Sequence, residues 1–275
     1  FFLMIRRPPR ATRGPYTTRF RAERNHRGTK SNPVGKHLPL KLGKTPARRG
    51  AVTFKMMAYL KKPELPTPPK IFGHQKLICE SWAMIGNDDY GDCVWAGAAH
   101  ETILWNKEAG TATSFNNKSV LSDYSAVTGF KPNDPSTDNG TDMQQAASYR
   151  RKTGVLDSKG KRHKVGAYLG LPPGDIDQLA LAIYLFDATG IGIKFPNSAM
   201  DQFNAGKPWD VKPGSKIEGG HYIPGLGRDK NGNIIVVTWG KLQLMTPAFY
   251  KKYCDEVVAY VSKEALHGDE SPEGF

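Results

Sequence analysis

The stretch MIGNDDYGDCVWAGAAH, residues 84–100, runs from a polar, glycine-punctuated loop into a small-residue helix, and a cysteine stands at the change. Unpaired N–H groups and the macrodipole at a helix N-terminus favour negative charge, which lowers a thiol pKa there. Cys93 has that placement. The sequence from Cys93 to Gly110 lacks a clean apolar stripe, so the helix it predicts is buried on several sides. Gly110 is its expected stop.

The wider chain limits what such a cysteine can be doing. It has 275 residues, 39% of them hydrophobic, enough for one large or two small domains. Three cysteines, Cys79, Cys93 and Cys254, are an odd count that argues against a disulfide framework. Their spacing fits no zinc motif, so neither a metal nor a cofactor is expected. Cys79 and Cys254 read as core residues. No apolar run approaches the length of a membrane span.

The net charge of +13 suggests a nucleic-acid partner until it is located. Of the 39 Lys and Arg, 17 precede residue 63, together with one of the 26 acidic residues; the rest of the chain keeps 22 basic and 25 acidic. The excess is therefore confined to an N-terminal arm. Its first part, FFLMIRRPPRATRGPYTTRF, resembles translated sequencing-adapter read-through, so residues 1–22 are read as a disordered artefact. FFLMI is too short for a secretory signal and precedes the charges. Residues 23–62 read as a solvated basic extension, with weak contact to nucleic acid or an anionic surface as the other option. The body is expected over 63–265, with a polar tail at 266–275.

Within the body, helical patterns come first. SVLSDYSAVTGF (119–130) should end near Gly129, TDMQQAASYRRKTGV (141–155) carries Thr141 or Asp142 as a cap, and PPGDIDQLALAIYLFDATG (172–190) has apolar residues at helical spacing. Residues 198–218 read as mostly loop. Strands dominate the last third: GGHYIPGLGRDKNGNIIVVTWG (219–240) reads as two extended runs around an Asn-Gly turn, and TPAFYKKYCDEVVAYVS (246–262) as a helix entering a strand. Helices before strands indicate an α+β fold.

A nucleophilic cysteine needs a base, which can come from far along the chain. His100 lies two helical turns from Cys93, roughly 10 Å along the axis, too far for direct proton transfer. It reads as a packed, hydrogen-bonded residue. His221 follows Gly219 and Gly220, and those glycines would let a substrate backbone approach closely. It lies 128 residues after Cys93, near the separation of roughly 130–150 residues seen in papain-type enzymes.

With these residues the chain resembles the papain-like cysteine peptidases, over roughly residues 75–262. The resemblance implies a papain-like fold, with an N-terminal helical part carrying the Cys helix packed on a C-terminal antiparallel β part. It implies Cys93 as nucleophile and His221 as base. Asn87, six residues before the cysteine, stands where the family has an oxyanion-hole glutamine, with the Cys93 N–H as second donor. Trp95 follows the cysteine, and Trp239, 18 residues beyond His221, matches a tryptophan that shields the catalytic hydrogen bond. The family's histidine-orienting asparagine falls on Val237, which has no acceptor, and Thr238 is expected to point to the opposite strand face. Asp88, Asp89 and Asp92 would raise the thiol pKa if they faced it, so they are expected to face solvent or cap the helix.

The resulting expectation is a cysteine peptidase or amidase using a Cys–His dyad on a peptide or protein substrate, from a branch that the resemblance associates with phages. The alternative is a papain-like scaffold with weak or no turnover, serving as a binding or virion-structural module. Location would be cytoplasmic or virion-associated, without membrane contact.

Overall fold

The computed structural model describes residues 40–48, 50, 52, 54–60, 65–78 and 81–265. The expectations for residues 1–22 and 23–39, for the tail at 266–275 and for Cys79 lie outside the described residues. The described residues belong to one compact unit. Residues 40–48, read from the sequence as part of the solvated basic extension, therefore pack with the body, and Lys44 is buried in it.

The helical part comes first. A short helix α1 (Met56–Tyr59) and a short strand β1 (Phe72–Gly73) lead to α2 (Cys93–Glu108), α3 (Asn117–Thr128) and α4 (Met143–Lys152). α2 starts at the cysteine and is buried along almost its whole length, as its lack of a stripe required. α3 opens with a capping box between Asn116 and Ser119 and closes on Gly129 in the left-handed region. α4 is capped by Asp142, whose carboxylate accepts the N–H groups of Gln144 and Gln145.

The small ribbon β2 (Val155–Leu156) and β3 (Arg162–His163) follows, then β4 (Val165–Gly170), α5 (Ile176–Phe186), β5 (Thr189–Pro196) and α6 (Asn197–Asn204). The last third contributes β6 (Ile217–Arg228), β7 (Ile234–Thr238), β8 (Lys241–Met245), α7 (Pro247–Tyr253) and β9 (Cys254–Ser262). α6 lies in a stretch read as loop. Its short pattern is completed by tertiary partners: Trp209 Nε1 donates to Ala199 O at 2.9 Å, and Gln202 exchanges hydrogen bonds with the Asp210 backbone.

Among the described residues the main sheet has seven strands in the order β4-β9-β5-β6-β7-β8, with β1 on β6. Its named pairings are antiparallel. One core holds α2, α3 and α4 against one sheet face, with Trp95, Trp105, Tyr124, Tyr222 and Val237. The second packs α5, α6 and α7 on the other face, with Phe195, Trp209, Trp239 and Phe249. The fold is α+β, and α2 meets β6 at the junction of its two parts. No helix among the described residues is long and apolar enough to cross a membrane.

Candidate active site

Cys93 reaches β6 through its side chain: Sγ accepts the Tyr222 N–H at 3.4 Å. Tyr222 is the residue after His221, so the helix start and the histidine strand are joined at this point. The two residues on β6 point to opposite faces. Tyr222 lies over α2, where Gly97 makes room for its ring, and its hydroxyl donates to Glu101 at 2.7 Å. His221 lies on the other face, against Phe195 at 5.6 Å and stacked on Trp239 at 4.3 Å between centroids, 15° from parallel.

The partner of His221 is Thr238, whose Oγ1 lies 2.7 Å from Nε2. This corrects the expectation that Thr238 points away. The alternation along β7 is as expected, with Val237 in the helical-side core and Thr238 opposite it. The histidine, however, lies on the Thr238 face. Trp239, just past the strand, has φ 44, and this left-handed turn brings the indole over the imidazole. The other ring nitrogen, Nδ1, is buried without a hydrogen-bond partner.

Asn87 is buried beside the cysteine turn. Its Nδ2 donates to Tyr90 O at 3.2 Å and Lys41 O at 3.5 Å. Trp95 is buried under the opposite wall and donates to Thr141 Oγ1 at 3.0 Å. Asp138 ties the walls together by accepting the Gly91 N–H at 3.0 Å and the Tyr124 hydroxyl at 2.7 Å. Asp89 is exposed and Asp88 half-buried. Asp92 departs from expectation: it occupies the N-cap position of α2 but makes no capping bond and is wholly buried. Burial, reinforced by the Asp138 carboxylate, holds its carboxyl well above the usual range. His100 is a packed helix residue, its Nε2 2.7 Å from Trp82 O.

The cleft between these walls contains the chain's own segment Leu40–Thr45, which nothing in the sequence singled out. Lys41 O accepts the Trp239 indole N–H at 3.1 Å, as well as the Asn87 amide. The Gly43 and Lys44 N–H groups donate to Gly220 O at 3.2 and 3.0 Å. On the other wall Thr141 N donates to Gly43 O at 2.7 Å, and Thr45 N to Thr141 O at 3.1 Å. A side chain at Gly220 would collide with Lys44 O, and one at Gly219 would crowd Leu42. The glycine pair before His221 thus accommodates a backbone strand, supplied here by the chain itself.

This strap sets the electrostatics. Burial pushes the Cys93 thiol up to about 12; Asp92 adds to the rise, and the Tyr222 and Gly43 N–H groups and the Lys44 ammonium oppose it. The helix N-terminus was expected to lower the thiol pKa. In the covered cleft desolvation outweighs it. Burial pushes His221 down to about 3. Both groups are therefore neutral near pH 7. Cys254 is half-buried at the start of β9, and burial raises its thiol to about 12.

Two features escaped the sequence reading because they join distant segments. One is the strap. The other is a group at the far end of α2, where His74, Glu108 and Asp187 each bring one potential ligand atom within 4.8 Å of the others. No spacing in the sequence marks that triad.

No family model matches the sequence, and no curated protein matches it. Solved structures do match. The cysteine protease xylellain from Xylella fastidiosa superposes with a TM-score of 0.64 at 14% identity, covering 84% of this chain and 99% of that one. A procathepsin B from Trypanosoma congolense gives 0.58 at 13% identity, covering 80% and 86%. The Carica candamarcensis cysteine protease CMS1MS2, in complex with E-64, gives 0.52 at 12% identity, covering 70% and 99%. At these identities the likeness concerns architecture, and by its architecture this chain has the papain-like cysteine protease fold.

Proposed function

We propose that the protein is a cysteine peptidase or amidase, held here in a latent form by its own segment Leu40–Thr45. The observation that carries this reading is the strap itself: an extended backbone lies between Thr141 and Gly220, beside Cys93, held as a bound peptide would be. In the working form His221 Nδ1 takes the Cys93 thiol proton, and sulfur attacks the acyl carbon of the substrate amide. Thr238 Oγ1, 2.7 Å from Nε2, holds the ring in place; in the reactive tautomer Nε2–H donates to this hydroxyl and Nδ1 carries the free lone pair that a base requires. Asn87 and the Cys93 N–H stabilise the oxyanion; loss of one such donor costs about 3 kcal/mol in related sites. The amine leaves with the proton from His221, and water then cleaves the thioester to the acid.

The strap explains why the pair is uncharged in this form. Its departure would admit water to sulfur and imidazole, removing the desolvation that keeps both neutral. The test is alkylation of Cys93 by iodoacetamide, read by intact mass. Lys44→Glu places a third carboxylate against Asp255 and Glu256 and should expel the strap. That variant should react at pH 7 at least tenfold faster than wild type, and adding His221→Ala should remove the gain. Equal rates with and without His221 would leave the scaffold reading, a papain-like binding or virion-structural module, in its place.

A further inference from the structure

The strap also puts one side chain into the wall of the cleft. Lys44 is fully buried there, its ammonium 3.0 and 3.1 Å from the two oxygens of Asp255, 3.9 Å from Glu256 Oε2 and 3.0 Å from Thr45 O. The pocket is shaped for a long chain. A methyl at Gly192 would collide with the lysine Cε and would come within 2.7 Å of Met143 Sδ. Gln144 Nε2 donates to Glu256 Oε1 at 2.9 Å and holds that carboxylate in place.

The carboxylates create a demand. Their side chains are 11% and 10% exposed, and without Lys44 the nearby cation would be Arg48, which is exposed, already paired with Asp142, and acts on Glu256 only at longer range. An unpaired buried charge is costly. Among the described residues, the cation in direct ion-pair contact with both carboxylates is Lys44 of the strap. If the strap leaves so that a substrate can enter, the incoming chain must bring the charge.

Position links the pocket to the chemistry. Gly43 packs directly on the backbone of Gly91, two residues before Cys93, so closely that a methyl there would collide with Gly91 O, and Lys44 is its neighbour. A chain lying over the sulfur therefore directs an adjacent side chain toward Asp255. We propose that this pocket selects a lysine or arginine side chain of the substrate, next to the residue at the sulfur, with Asp255 and Glu256 as its specificity-determining carboxylates. This rests on the peptidase reading for its catalytic meaning, but the pocket can be tested without turnover.

The experiment uses the full chain with Lys44→Ala, to empty the pocket, and Cys93→Ala, to prevent reaction. Acetyl-Lys-Gly-amide, acetyl-Arg-Gly-amide, acetyl-Leu-Gly-amide and acetyl-Glu-Gly-amide are titrated calorimetrically. The basic peptides should bind at least tenfold tighter than the leucine peptide. Adding Asp255→Asn should cut that advantage to within about threefold, with circular dichroism confirming the fold, and Asp255→Lys should turn the preference toward the glutamate peptide. Leucine binding as tightly as lysine, a lysine preference unmoved by Asp255→Asn, or no binding by any of the four would each overturn the proposal. Hydrolysis is then assayed with Cys93 restored. Selective binding without cleavage keeps the pocket and removes the peptidase reading; cleavage without basic preference does the reverse.

Discussion

Two buried ion pairs flank the Cys93 helix, and they differ in who owns the cation. Behind the helix Arg150 of α4 lies 2.6 Å from Glu101 and 3.9 Å over the Tyr260 ring, inside a core that also holds the Tyr222 hydroxyl. In front of it Lys44 faces Asp255 and Glu256. Both pairs are secluded from water, so in both the charge of one partner is tolerable only because of the other. Arg150 is fixed in α4, a helix of the first core. Lys44 sits on a strap held by a few backbone hydrogen bonds. The same electrostatic device is permanent architecture in one place and a removable occupant in the other.

The largest expected effect separates them by stability. Arg150→Met strands the Glu101 carboxyl and should cost about 3–5 kcal/mol, lowering the melting temperature by about 10 °C, at roughly 2–4 °C per kcal/mol. Lys44→Met should lower it by less than half as much while speeding Cys93 alkylation about tenfold or more. If the two variants melt alike and neither changes thiol reactivity, the distinction collapses.

A smaller effect concerns the histidine. In the Lys44→Met background, Thr238→Val should slow Cys93 alkylation about tenfold and displace its pH profile, while Thr238→Ser should restore both. An unchanged profile with valine would mean that Thr238 merely fills space. The smallest effect lies at Asp92. Burial raises its folded pKa, so the folded protein holds a proton there that the unfolded chain loses from about pH 4 upward. Stability attached to that group is complete below the ordinary carboxylate range and declines as pH rises toward the raised value. Asp92→Asn should therefore leave thermal stability nearly unchanged at pH 4 and raise it by about 2–4 °C at pH 7.5. A gain of equal size at both pH values would refute the buried-charge account.

Much of this was legible in the residues because the signals were local. Cys93 at a helix start, the Gly-Gly-His before a hairpin and the Trp-Gly after it are short patterns whose meaning does not depend on the rest of the fold. Thr238 was misread although strand alternation was applied correctly, because the face occupied by His221 is decided by packing against Phe195 and Trp239. Asp92 was misread because sequence marks a helix cap but not how deeply it is covered. The strap was invisible for a plainer reason. Its partners are Thr141, Gly220 and Asp255, far away in sequence, and its composition matches that of the basic arm around it. The doublet Asp255–Glu256 opening an otherwise apolar strand was the available hint.

Gly97 carries a consequence for precision. A methyl group there would come within 2.5 Å of the Tyr222 ring, nearly an ångström inside ordinary contact, so the helix and β6 are spaced by the width of a hydrogen atom. Tyr222 also holds the Cys93 sulfur through its backbone and adjoins His221. The clearance between two structural members is therefore also the alignment of the Cys93 sulfur with the His221 strand, as the seat of a bearing fixes the line of a shaft. One extra carbon at this position would move the sulfur and the histidine strand relative to each other without touching either.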